Sequence, residues 1–193
     1  MRLGTVKRDT KETQITVSID LDGGGINRIS TGVGFFDHML TALAVHSGID
    51  MDIEVKGDLY VDCHHTVEDT GIALGAALCK ALGDKGGICR YGNMLIPMDE
   101  SLALVSLDIS GRPFLVFDCS FVTDKIGEMD TQMVEEFFRA LAFHAGITLH
   151  AKLLYGTNDH HKAEALFKAL AHSLKQAVRP TGDAVPLSTK GVL

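Results

Sequence analysis

The sequence has no tryptophan, few cysteines and no long apolar segment. Its four cysteines are scattered without a C-x-x-C pair, which disfavours a zinc ribbon or a disulfide framework and makes a reducing cytoplasm the expected location. No apolar run reaches the roughly 18 residues that a transmembrane helix needs. The N-terminus also lacks the apolar core of a signal peptide. We therefore expect a cytoplasmic protein without a membrane partner.

Basic residues are fewer than acidic ones, which gives a net charge of −7. This balance disfavours a broad nucleic-acid surface, and three tyrosines offer little for stacking bases. A local cluster of arginine and lysine could still hold one small anion. At 193 residues and 46% hydrophobic composition, the chain is long and apolar enough to bury a substantial core.

Histidine is the residue type that stands out, with nine in the chain. Four of them form two adjacent pairs, His64-His65 and His160-His161. A glutamate follows each pair at the same spacing, Glu68 in the first motif and Glu164 in the second. The H-H-x-x-E pattern therefore occurs twice.

The two motifs belong to a longer internal repeat. An apolar i, i+3, i+4, i+7 stripe beginning at Phe36 recurs 98 positions later at Val134, which predicts an amphipathic helix in each half. Gly48 and Gly146 stand where these helices should end. Alternating strands are predicted next, at 49–55 and 147–153, and further strands at 13–21, 102–110 and 113–118.

Each half thus reads as helix, strand, loop, His-His, helix, with strands before the first helix. The repeat predicts an internally duplicated α+β fold. It forms a single domain, 1–193, made of two pseudo-repeats at about 1–92 and 93–193.

Each H-H-x-x-E motif offers ligands for a metal ion. His65 and Glu68, like His161 and Glu164, are three residues apart, which would place imidazole and carboxylate on one helical face and allow them to share a cation. The preceding histidine would then reach a different cation, which gives two metal sites with ligands from both halves. Such mixed ligation suits Mn, Fe, Zn or Ni. Ordinary helix N-terminal residues are the alternative, but they do not explain why the glutamate recurs.

The repeat register adds two further candidates. His38 lies on the first predicted helix, off its apolar stripe, and falls on Glu136. If His38 is a ligand, Glu136 should be its counterpart, with Glu135 as the neighbouring competitor. A solvated helix charge is the alternative for Glu136.

Basic residues in glycine- and proline-punctuated segments form a candidate phosphate site. Arg90, Arg112 and Lys190 lie in such segments, with Arg179 as a weaker candidate, and Ser188 or Thr189 could add a hydroxyl donor. His46 lies at a predicted helix end, where it could contact substrate or only interact with the terminal carbonyl groups.

Several segments together resemble one known family. They are TKET (10–13), TGVGFFDHML (31–40), VDCHHTVEDTGIALG (61–75), PMDESLA (97–103), SGRP (110–113), VEEFFRALA (134–142), NDHHKAEALFKA (158–169) and PLSTKGVL (186–193). In these motifs the chain resembles imidazoleglycerol-phosphate dehydratases, enzymes of histidine biosynthesis, over nearly its whole length. The resemblance implies two halves, each a four-stranded sheet with two helices, similar to domain 2 of ribosomal protein S5.

The resemblance further implies dehydration of D-erythro-imidazole glycerol phosphate to imidazole acetol phosphate with two Mn²⁺ ions per active site. It implies a homo-oligomer of 24 subunits whose active sites lie between subunits. The implied metal ligands are His38, His64, His65, Glu68, Glu136, His160, His161 and Glu164, and many relatives carry histidine where Glu136 stands. The implied phosphate and substrate contacts are Glu12, His38, His46, His64, Glu68, Arg90, Asp99, Arg112, His160, Lys168, Ser188 and Lys190.

The chemistry of this reaction needs an electron sink. The C–H bond that must break is a poor acid with no carbonyl beside it, so the ring would have to take part as a metal-stabilised imidazolate. A carboxylate is the natural base, and Glu12, Glu68 and Glu164 all remain candidates. Two rival functions are a two-metal phosphoesterase and a metal-storage protein without turnover.

Overall fold

The computed structural model describes residues 1–182, 185–189 and 191. The first half contains β1 (Leu3–Asp9), β2 (Thr13–Asp20), β3 (Asn27–Ser30), α1 (Gly34–Ser47), β4 (Asp50–Gly57) and α2 (His64–Leu82). The second half contains β5 (Tyr91–Met98), β6 (Ser101–Asp108), β7 (Phe114–Asp118), β8 (Lys125–Ile126), β9 (Met129–Asp130), α3 (Met133–Ala145), β10 (Thr148–Tyr155) and α4 (Asp159–Ala177).

Both halves build the same four-stranded sheet. The strand order is β1-β2-β4-β3 in one and β5-β6-β10-β7 in the other, with the last strand of each sheet parallel to its neighbour and the remaining pairs antiparallel. This repetition confirms the predicted duplicated α+β fold. The division near residue 92 stays an interpretation of the repeat; β5 already begins at Tyr91, after the linking residues 83–90.

The helices lie between the two sheets. The alternating strands turn their apolar side chains inward, as Val17 in β2 and Val105 in β6 show, and both are fully buried. Helices from different halves pack on each other, α1 on α4 and α2 on α3. Phe137 and Phe167 stack at the centre of the core, with a ring-centroid separation of 5.2 Å. Burying each such side chain contributes about 1.5–3 kcal/mol.

The two helices of each packed pair run parallel. Along α1 and α4, His38 lies beside His160 and His46 lies beside His172. Along α2 and α3, Gly75 packs against the backbone of α3 so closely that an added Cβ would come within 2.7 Å of the carbonyl oxygen of Leu141. The N-terminal ends of both pairs therefore carry the H-H-x-x-E motifs.

Local signals explain where the first helix of each half ends. Gly48 and Gly146 adopt left-handed conformations, with φ of 75° and 66°, and cap α1 and α3 as predicted. Among the described residues, no helix is long and apolar enough to cross a membrane.

Candidate metal and substrate site

A compact group of possible metal ligands lies at the start of α1 and α4; we call it the α1/α4 cluster. It consists of His38, His160 and Glu164, whose ligand atoms all lie within 4.8 Å of one another. Glu164 Oε2 is 3.2 Å from His160 Nε2 and 3.5 Å from His38 Nε2. One of these side chains comes from the first half and two come from the second, so the cluster draws on both halves.

Glu164 is the anchor of the α1/α4 cluster, and it is only 7% exposed. Burial would raise the pKa of its carboxyl group, but the ammonium of Lys168, whose Nζ is 2.7 Å from Oε1, and the His38 imidazole outweigh burial and lower the pKa. The group is therefore a carboxylate at neutral pH, which is the form that binds a cation.

The corresponding residues at the start of α2 and α3 are His64, Glu68 and Glu136. We call this set the α2/α3 cluster. His64 Nε2 lies 3.5 Å from Glu68 Oε2, and both side chains are more than two-fifths exposed. Glu136 pairs with Arg139 instead, at 3.5 Å from Oε2 to Nε, while Glu135 pairs with the same arginine. Among the described residues, the α1/α4 cluster alone brings three possible ligands together.

The pairing inside each motif differs from the sequence-based prediction. Glu68 and Glu164 were expected to meet His65 and His161, three residues earlier, but each lies against the first histidine of its motif, four residues earlier. That part of the prediction was wrong. Side chains four apart stack more directly along a helix than those three apart, and other carboxylates hold the second histidine of each pair.

Those other carboxylates come from loops next to strand ends. His65 Nδ1 is 3.0 Å from Asp58 Oδ2, and its Nε2 is 3.8 Å from Glu12 Oε1. The hydrogen bond to Asp58 raises the pKa of His65. Glu12 was predicted at the site, whereas Asp58 was missed. Only its position directly after β4, on the loop that leads to the motif, could have indicated it.

His161 has the same kind of surroundings in the second half. Its Nδ1 is 2.7 Å from Glu100 Oε2, and its Nε2 is 3.5 Å from Asp99 Oδ2. The bond to Glu100 raises the pKa of His161. The pKa of Glu100 in turn lies far below its usual value, because the backbone N–H of Asn158 and the His161 ring both donate to it. Asp99 was predicted and Glu100 was missed.

Two open cavities lie next to the histidines of the two motifs. One of about 370 Å³ is lined by His160, Thr123, Lys125 and Asn158 among others, beside the α1/α4 cluster. The other, of about 230 Å³, is lined by Glu12, Asp58 and their neighbours, beside His65.

The predicted phosphate residues converge on one acidic side chain. Arg90 holds both oxygens of Asp108, with Nε at 2.6 Å and Nη2 at 3.0 Å, and Arg112 Nη2 lies 3.6 Å from Asp108 Oδ2. Arg90 Nη1 donates to the carbonyl oxygen of Leu187, the residue before Ser188. Arg90, Arg112 and the Ser188 segment thus lie together. Lys190 falls outside the described residues, and the role of Asp108 was not foreseen.

A second basic group lies farther along the packed helices α1 and α4. The His46 and His172 rings are 5.3 Å apart, near Lys168 and Lys175. Burial, the neighbouring His172 and the lysines lower the pKa of His46. The predicted residues His46 and Lys168 therefore lie near each other, and Lys168 also forms an ion pair with Glu164.

Comparison with known proteins identifies the family of this chain. A family model described as imidazoleglycerol-phosphate dehydratase matches residues 31–174. Proteins of that name from Ruminiclostridium cellulolyticum and Cereibacter sphaeroides KD131 are 59% and 57% identical over the full length of both chains.

Solved structures give the same result. The crystal structure of the imidazoleglycerol-phosphate dehydratase from Staphylococcus aureus matches with a TM-score of 0.85 and 45% identity, covering 93% of this chain and 99% of that one. The structure from Pyrococcus furiosus matches with a TM-score of 0.84 and 41% identity, covering 97% and 100%. The chain therefore belongs to the imidazoleglycerol-phosphate dehydratase family of lyases.

Proposed function

We propose that this chain removes water from D-erythro-imidazole glycerol phosphate to give imidazole acetol phosphate, a step of histidine biosynthesis. The observation that carries the proposal is the α1/α4 cluster, in which two imidazoles and one buried carboxylate converge beside an open cavity. Separate arginine and lysine groups provide positive charge for a phosphate, and the His46 ring lies near Lys168.

The donor sets fit two divalent cations per active site, and we propose Mn²⁺. His38, His160 and Glu164 would hold one ion. His64 and Glu68 would hold the other, with Glu136 after it leaves Arg139. Imidazole and carboxylate together are typical ligands of first-row divalent metals. When bound, the two cations would act as Lewis acids at the ring nitrogens of the substrate and stabilise an imidazolate.

The proton on the middle carbon of the substrate side chain, one carbon removed from the ring, needs a base, and we propose Glu12. Its carboxylate is about half exposed, lines the cavity beside His65 and lies 3.8 Å from the Nε2 of that residue. Glu164 is less suited, because Lys168, His160 and His38 already engage both of its oxygens. Loss of this proton and of the hydroxyl on the carbon next to the ring removes water and gives an enol at the middle carbon, which converts to the ketone of imidazole acetol phosphate.

The phosphate of the substrate would bind the basic residues. Arg112 has a side chain that is 67% exposed, so it can turn to an incoming anion, while Asp108 holds Arg90 in place. Ser188, Lys190, His46 and Lys168 complete the proposed contacts. This remote binding orients the reacting carbon atoms.

We also propose a cytoplasmic homo-oligomer of 24 subunits with active sites between them. The Nδ1 atoms of His65 and His161 each face a carboxylate of the same chain. The Nε2 atom of each ring instead lies beside an acidic side chain on a loop, Glu12 or Asp99. These nitrogens could therefore complete the metal site of a neighbouring copy. The unpaired state of all four cysteines is consistent with a reducing compartment.

One preparation can test the function. Purified protein loaded with Mn²⁺ should convert imidazole glycerol phosphate to the ketone, and chelation should abolish turnover. Release of inorganic phosphate without dehydration would favour the phosphoesterase. Metal binding with neither reaction would favour storage, and either result would overturn the proposal.

A further inference from the structure

We propose that Asp58 and Glu100 are positioning residues that fix the tautomer of the second histidine in each motif. Each carboxylate would hold a proton on Nδ1 of His65 or His161 and so leave the Nε2 lone pair free for a cation. This inference deepens the proposed function and depends on it.

The first half supplies a largely buried carboxylate. Both oxygens of Asp58 face the same ring nitrogen, at 3.0 and 3.2 Å from His65 Nδ1. The Asp58 side chain is only 11% exposed, and it directly follows β4. The ring of His65 is thus held by a group anchored in the sheet.

The second half supplies an anchored carboxylate. Glu100 Oε1 accepts the backbone N–H groups of Asn158 and Thr157 at 2.7 and 3.1 Å, while Oε2 faces His161 Nδ1 at 2.7 Å. The side chain of Asn158 also caps α4, by accepting the N–H groups of His160 and His161. One network therefore fixes both the helix start and the ring.

The two carboxylates do not occupy corresponding positions in the repeat. Gly4 and Gly92 correspond, since each approaches a backbone carbonyl of the second helix in its half. Glu12 stands eight residues after Gly4 and Glu100 eight residues after Gly92, so Glu100 corresponds to Glu12 rather than to Asp58. The same hydrogen bond arises from different elements, which indicates that the ring orientation itself is required.

The chemistry explains the requirement. A neutral imidazole has one N–H donor and one acceptor nitrogen, and only the nitrogen without a proton can bind a metal. A carboxylate on the other nitrogen fixes the tautomer and increases the basicity of the ligand. Removal of such a partner typically lowers metal affinity about 10- to 100-fold.

The test uses the full assembled protein and measures Mn²⁺ binding directly. Asp58→Ala and Glu100→Ala should each weaken Mn²⁺ affinity about 10- to 100-fold in a titration followed by electron paramagnetic resonance. At saturating Mn²⁺, kcat should recover toward its wild-type value, because the proposed role of both residues is to position a metal ligand. Asp118→Ala, at an exposed carboxylate on β7 paired with Lys152, is the matched control and should bind Mn²⁺ like wild type.

Asp58→Asn and Glu100→Gln guard against misfolding of the alanine variants. They keep an acceptor but remove the charge, so their Mn²⁺ affinity should fall by at least about threefold with wild-type thermal unfolding. Affinity within about twofold of wild type in a folded alanine or amide variant would overturn the inference. An inactive wild-type protein would instead overturn the proposed function, so the two failures are distinguishable.

Discussion

The two parallel helix pairs have the same backbone arrangement but differ in how closely their proposed metal ligands approach one another. In the α1/α4 cluster, Glu164 is buried, and two imidazoles lie within 3.5 Å of it. In the α2/α3 cluster, Glu68 is exposed and has one imidazole, that of His64, beside it. Glu136, where the other pair has His38, is engaged by Arg139.

Particular side chains explain this difference. Lys168 neutralises Glu164 from one turn along α4, whereas Ile72 stands at the matching position of α2. A second carboxylate in the α2/α3 cluster would also repel Glu68 until a cation arrives. The duplicated scaffold therefore sets where the proposed ligands lie, and a few residues that differ between the two halves decide whether these side chains already meet.

Removal of one proposed ligand from each cluster should have the largest effect. His160→Ala and His64→Ala should each lower turnover more than about 100-fold, since even the loss of an outer-shell partner costs 10- to 100-fold. Each variant should also lose one of the two Mn²⁺ ions per chain, measured by metal analysis. His150→Ala, at an exposed histidine on β10, is the control and should retain both ions.

Equivalence of the two scaffolds can be tested at their close-approach glycines. An added Cβ would lie 2.0 Å from the Ala77 carbonyl oxygen at Gly4 and 1.9 Å from that of Ser173 at Gly92. Gly4→Ala and Gly92→Ala should each lower the free energy of unfolding by about 1–3 kcal/mol, measured by denaturant titration. Gly24→Ala, which meets nothing within 4 Å, is the control. Similar stability of all three would contradict the account.

A third experiment makes the two clusters alike. Glu136→His should give the α2/α3 cluster two imidazoles and one carboxylate and raise its preference for Zn²⁺ over Mn²⁺ by on the order of tenfold, because imidazole suits zinc better than carboxylate does. His38→Glu should shift the α1/α4 cluster in the opposite direction. Competition titrations with both metals measure the ratio, and an unchanged ratio in both variants would exclude these residues as ligands.

The smallest effect concerns the far ends of the helix pairs. The pKa of His46 and of His172 is lowered below the ordinary value of 6.5, first by burial. The unfolded chain therefore binds more protons near that pH, so stability is present above pH 6.5 and is lost as pH falls through the lowered pKa values. His46→Gln should flatten this decline in thermal unfolding. His144→Gln, at the counterpart in α3, should leave the decline unchanged.

The sequence predicted what short-range patterns encode. The apolar stripe of α1, its repetition in α3 and the glycine caps at Gly48 and Gly146 all follow from local periodicity and backbone preference, and the structure confirms them. These features need no knowledge of distant contacts.

The missed features depend on contacts that helical and strand periodicity do not encode. Asp58 and Glu100 reach histidines 7 and 61 positions away, and Asp108 joins Arg90 across 18 positions. Helical spacing also favoured the second histidine as the partner of each glutamate, because it ignored the competing carboxylates. Strand pairing sets these distances, and no local pattern reports it.

Anomalous diffraction from crystals of the Mn²⁺-loaded protein tests the central proposal most directly. The account predicts two manganese peaks per chain, one bound by His38, His160 and Glu164 and the other by His64, Glu68 and Glu136. A peak at one cluster only, or manganese bound elsewhere in protein that catalyses the dehydration, would contradict it.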